Sequence, residues 1–120
     1  MPPEGPKNAT PQTLTCRQTA DGVEIDLRIK SDLAALTGHF PGLPIVPGVC
    51  LLDWVVRFSA CHLGLLQNGA AQFQIKFRRV LQPECDVTLT LRRLSGGRVQ
   101  FTYRRRDTTY ASGTVSAEGV

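Results

Sequence analysis

Two side chains flanking one stiff loop carry the chemistry this sequence offers. His39 stands near the start of the run Gly38-His39-Phe40-Pro41-Gly42-Leu43-Pro44-Ile45-Val46-Pro47-Gly48-Val49, and Asp53 follows within an apolar segment. An imidazole titrates near neutral pH, which suits it to take a proton. A carboxyl group enclosed by apolar neighbours is pushed above its ordinary range, which suits it to give one. Together they are a base and an acid. Each has a duller use. A histidine beside prolines often serves structure, and Asp53 stands four residues before Arg57, the spacing of a plain helix ion pair.

The elements that must hold these groups can be read from pattern. Three X-Pro bonds (Phe40-Pro41, Leu43-Pro44, Val46-Pro47) restrict each preceding residue to extended geometry, so the loop is not helical. Pro47-Gly48 suits a helix start. From Val49 to about Leu66 the residues are apolar nearly all round, interrupted by Asp53, Arg57, Ser59 and His62. That composition predicts a buried central helix, ended by Asn68-Gly69. Before it, Leu14 and Cys16 give a weak strand signal, Asp21-Gly22 a hairpin turn, and Val23, Ile25, Leu27 and Ile29 a clean alternation. Leu33 to Leu36 allow at most a helical turn. After the helix, alternation predicts about four strands: through Phe73, Ile75 and Phe77; through Val87, Leu89 and Leu91; through Val99, Phe101 and Tyr103; and through Tyr110, Ser112 and Thr114. The expected class is α+β, one long helix wrapped by an antiparallel sheet.

A chain of 120 residues is one domain. Residues 1–11, with four prolines, read as a flexible arm, and 12–120 as the domain. The opening residues carry no signal-peptide pattern, and Pro44, Pro47, Asp53 and Arg57 interrupt the one candidate span, so a soluble cytoplasmic protein without membrane contact is expected. Cys16, Cys50, Cys61 and Cys85 have neither CxxC nor zinc spacing, and read as buried small hydrophobes in a reducing compartment. No metal is expected. Net charge is +4, and from Lys76 onward nine Lys/Arg face four acids, a basic surface suited to an acidic partner or simply a solvated sheet face. No recognised motif or aromatic stacking pattern supports nucleic acid.

The run from His39 to Val49, with the carboxylate at Asp53, resembles the hot-dog-fold 3-hydroxyacyl-acyl-carrier-protein dehydratases, in which a curved antiparallel sheet wraps a long helix. Lys76-Phe77-Arg78-Arg79 and Ser112-Gly113 are similar to that family's third and last strands, so the resemblance covers roughly residues 12–117. Asp53-Trp54 and the compact length most resemble the thioester dehydratases of aryl-polyene pathways. One departure is Pro83-Glu84-Cys85-Asp86, where the family commonly has a tighter Pro-Gly-Asp turn.

The resemblance implies that His39 removes the C2 proton of a 3-hydroxyacyl thioester and that the Gly48 N–H, at the helix start, takes up enolate charge. Asp53 would bind or protonate the leaving hydroxyl. It also implies an apolar tunnel along Leu51, Leu52 and Val56, a homodimer whose sites take His39 and Asp53 from different protomers, and acyl carrier protein as partner. No cofactor is implied beyond the carrier's phosphopantetheine. Two alternatives stand beside it. One is a hot-dog thioesterase in which Asp53 activates water. The other is a non-catalytic hot-dog subunit that binds carrier protein.

Overall fold

The computed structural model describes residues 10–30 and 45–117. His39, loop residues 40–44, the expected turn at Leu33 to Leu36 and most of the N-terminal arm lie outside the described residues.

The element order is the expected one: β1 (Gln12–Gln18), β2 (Gly22–Ile29), α1 (Gly48–Leu63), β3 (Gln72–Phe77), β4 (Cys85–Arg93), β5 (Val99–Arg105) and β6 (Thr108–Ser116). The strands form one six-stranded sheet in the order β1-β2-β4-β5-β6-β3, with every neighbouring pair antiparallel. β1 and β3 are therefore its two edges. Period-two alternation sends Val23, Ile25, Leu27 and Ile29 of β2 to one face, with Leu89 and Leu91 of β4 and Phe101 and Tyr103 of β5, all fully buried. α1 lies across that face and buries Leu51, Trp54, Val55 and Phe58 against it. The Tyr103 hydroxyl, wholly enclosed, donates to the Leu51 carbonyl at 2.6 Å and ties the helix to the sheet. A buried phenol needs such an acceptor.

Three sequence readings need correction. The helix ends at Leu63, not near Leu66. Gly64 takes a left-handed φ of 67°, its N–H bonds the Ser59 carbonyl, the six-to-one bond of a glycine-terminated helix, and the Leu65 N–H reaches the same carbonyl at 3.3 Å. Asn68-Gly69 only continues the connection, with the Gly69 N–H bonded to Leu66. Second, α1 is not covered on every side: Val49 is 67% exposed, and Leu52 and Val56 are half-buried. Third, the cysteines are not uniformly buried; Cys50 is, Cys85 is half so, and Cys16 and Cys61 are exposed.

At the departure from the family turn, Glu84 adopts φ 61° while its N–H bonds the Ile29 carbonyl. A side chain in the left-handed region costs roughly 1 kcal/mol that glycine avoids. Glu84→Gly is accordingly expected to raise the unfolding free energy by about 0.5–1 kcal/mol in urea titrations, through relief of that conformation.

On the outer face, Asp26 holds the edge strand to the sheet. It accepts from Arg17 at 2.7 and 3.1 Å, from Thr15, and from Thr88 of β4 at 2.7 Å. Those bonds, Arg17's first, then those of Thr15 and Thr88, hold the Asp26 carboxyl well below the usual carboxylate range. A depressed carboxylate stabilises the fold above its unfolded pKa of about 4 and loses that contribution as pH falls below it. Wild type should therefore lose more stability between pH 7 and pH 2 than Asp26→Asn, measured by urea unfolding across that range.

Candidate active site

Local sequence places the helix start firmly. Pro47, extended at φ −64° and ψ 148°, precedes the first turn, and its carbonyl accepts from the Cys50 and Leu51 N–H groups at 3.0 and 3.3 Å. The Gly48 N–H has no acceptor among the described residues, as expected of a first-turn amide. Gly48 is also a packing glycine. A Cβ there would come within 2.4 Å of the Phe77 ring tip, so the ring lies on the helix start where any other residue would project. The amide reading and the packing reading are both compatible with this position.

A groove of about 400 Å³ opens there, lined by Ile45, Gly48, Leu51, Phe77 and Leu81, with Arg78 and Arg79 on its wall. A second groove, of about 250 Å³, is lined by Val49, Leu52, Asp53, Val56, Phe73 and Val115. The expected site residues thus divide. Gly48 and Leu51 line the first groove, Asp53, Leu52 and Val56 line the second, and within one chain Gly48 and Asp53 do not share a groove. His39 lies outside the described residues.

Asp53 differs from its expected setting. Its side chain is 49% exposed, and the Arg57 Nε donates to it at 2.8 Å. The ion pair anticipated from the i, i+4 spacing is formed, and the described residues do not supply the apolar enclosure. The reason is geometric: Asp53 lies on the helix face turned away from the sheet, together with Val49, Leu52 and Val56.

Phe73 and Phe77 were read only as strand residues, yet one lines each groove. They stand on the same face of β3, on either side of Ile75, and are 57% and 56% exposed. Alternation alone could place them on one face, but not show that this face reaches past the helix. The basic half also sorts itself by register. Arg92 pairs with Asp21 at 2.8 Å and Arg104 with Glu24 at 3.4 Å, both acids of the first hairpin. Lys76, Arg78 and Arg79 form no ion pair with any described residue. Positive charge is thereby left unbalanced beside the groove at the helix start.

Comparison with known proteins agrees with this architecture. The solved dehydratase heterocomplex ApeI:P from Xenorhabdus doucetiae superposes with a TM-score of 0.78 at 26% identity, covering 89% of this chain and 96% of that one. Thioesterase superfamily member 2 from mouse superposes at 0.65 and 12% identity, over 89% of this chain and 88% of its own, a likeness of fold alone. One long helix against a six-stranded antiparallel sheet is thus a hot-dog fold. In sequence, a 3-hydroxyacyl-acyl-carrier-protein dehydratase FabZ from Cereibacter sphaeroides is 39% identical over 74 residues, which are 52% of this chain and 47% of that protein. The chain spans about half the length of the curated relatives it matches. The ApeI-like family, described as ApeI dehydratase, matches residues 15–114, and the chain belongs to that family.

Proposed function

We propose that this protein dehydrates 3-hydroxyacyl thioesters, carried on acyl carrier protein, to trans-2-enoyl thioesters in cytoplasmic fatty-acid or aryl-polyene-type synthesis. The family match over residues 15–114 carries the reaction class. His39 takes the C2 proton, and the carbonyl oxygen gathers negative charge beside the Gly48 N–H. The Cβ–oxygen bond then breaks as Asp53 protonates the departing hydroxyl, releasing water. The net change is loss of water, with no redox step and no cofactor beyond the carrier's phosphopantetheine. Arg78 and Arg79, on the wall of the first groove, with Lys76 on the strand leading to it, give an acidic carrier protein a surface to meet.

The division of the site supports a dimer. β3 is a sheet edge, and four residues of strand, about 13 Å, separate Phe73 at the Asp53 groove from Phe77 at the Gly48 groove. An antiparallel two-fold pairing of β3 edges about Ile75 would set Phe77 opposite Phe73 of the partner subunit. The Gly48 groove of one protomer would then meet the Asp53 groove of the other. Leu51 from one side and Leu52 and Val56 from the other would form one acyl tunnel. The same pairing would cover an edge strand carrying two exposed phenylalanines, an aggregation hazard if left open.

Purified protein given a 3-hydroxyacyl carrier-protein thioester is expected to raise enoyl-thioester absorbance without releasing free thiol. His39→Ala is expected to lower that turnover by roughly 10³-fold with an unchanged circular dichroism spectrum. Retained turnover removes His39 as the base, and thiol release without enoyl product moves the assignment to a thioesterase.

A second arrangement is favoured by one observation: ApeI:P is a heterocomplex. The chain covering β3 would then be a different hot-dog subunit, and light scattering of the isolated protein would report a monomer that dimerises only with that subunit.

A further inference from the structure

At the C-terminal end of α1, on residues that line neither groove, a thiol and an imidazole meet. Cys16 lies on β1 and is exposed; His62 lies in the last turn of α1. Cys16 Sγ is 3.8 Å from His62 Nδ1, and the Phe58 ring stacks on the imidazole at 6.0 Å and 26°. We propose that Cys16 and His62 form a thiol-modification site that reacts with small-molecule disulfides by thiol–disulfide exchange.

The parts suit the reaction. With its proton on Nε2, the imidazole presents Nδ1 as the acceptor for the Cys16 proton. Phe58, buried beneath the ring, fixes its orientation, the role a third group plays in an activated nucleophile–base pair. The thiolate attacks one sulfur of a disulfide R–S–S–R, a new bond joins Cys16 to that sulfur, and the old S–S bond breaks. The departing R–S⁻ carries the electron pair and is protonated from His62 or solvent. Cys16 is oxidised and the leaving sulfur reduced, so the disulfide itself is the oxidant.

The other three cysteines sharpen the contrast. Burial pushes the Cys50 thiol up, with the Asp53 charge adding to it, and burial likewise raises Cys85, whose Sγ donates to the Gln82 carbonyl at 2.8 Å. Cys61 is exposed but has no hydrogen-bond partner among the described residues, which makes it a reference thiol within the same molecule. β1 is the sheet edge opposite β3, so Cys16 remains open when β3 is covered.

The test is brief exposure of the intact protein to oxidised glutathione, followed by peptide mass mapping at successive times. Cys16 is expected to gain the glutathionyl adduct roughly tenfold faster than Cys61. His62→Phe, which keeps a ring on Phe58 but offers no proton acceptor, should bring Cys16 down to the rate of Cys61. Cys16→Ser should abolish the fast adduct. Equal rates at Cys16 and Cys61 in the wild type would overturn the proposal without reference to any variant, as would an unchanged Cys16 rate in His62→Phe.

Discussion

Asp53→Asn is expected to lower dehydration by roughly 10³-fold while shifting the unfolding free energy by no more than about 0.5 kcal/mol. The two halves of that expectation come from different physics. For stability, the carboxylate meets Arg57 in an exposed i, i+4 pair, with both side chains about half open to solvent. Such pairs contribute a few tenths of a kcal/mol, because water screens the attraction and two side chains lose freedom to hold it. For turnover, asparagine keeps the shape and can still hydrogen-bond a hydroxyl, but has no acidic proton to give. Arg57 separates the two roles. Its guanidinium occupies a carboxylate oxygen of Asp53, so the ion pair must yield for Asp53 to reach a substrate hydroxyl. Arg57→Gln is therefore expected to keep turnover within about tenfold of wild type. Equal, small effects of both substitutions would reduce Asp53 to a surface charge; stopped assays on the two variants and urea unfolding decide the matter.

The same residue marks the boundary of what pattern can reveal. Val49, Leu52 and Val56, around Asp53, make the helix apolar almost all round, and burial within one chain is the natural inference. The described residues leave that face open. Hydrophobicity states that a surface wants cover, not whose atoms supply it. The strands were legible because alternation is a local signal, and each of the six lies where it was expected. Their order in the sheet is not local: Arg92 and Arg104 find Asp21 and Glu24 only because β4 lies between β2 and β5, so tallying charge within the C-terminal half overstated the unbalanced arginines. The helix end was missed for a simple reason. Gly64 sits between Leu63 and Leu65, so the apolar run continues past the residue whose left-handed backbone stops it. Gly48 was legible as a helix start, while the Phe77 ring lying on it depends on a contact 29 positions away in sequence.

Mixing two inactive variants offers the decisive measurement on the shared site. On the proposed shared site, which draws one group from each subunit, His39→Ala and Asp53→Asn would each inactivate every site of their own homodimer. In a mixed dimer the losses segregate: one site receives both defects and the other receives neither. Random exchange makes half the dimers mixed, each with one sound site of two, so activity should return to about a quarter of the wild-type level. If His39 and Asp53 served the same chain's site, every site in every dimer would lack one group, and the mixture would stay as inactive as its components. The proposed shared site makes the first result the expected one. Gly48 and Asp53 open into separate grooves of one chain, the first lined by Phe77 and the second by Phe73, four residues apart on β3. Exchange must be driven through mild denaturation and refolding or by co-expression, because a stable interface would otherwise hold each variant in its own dimer. Recovery that appears only after such exchange, and in proportion to the mixed dimers counted by native mass spectrometry, ties the activity to the interface and not to a contaminant.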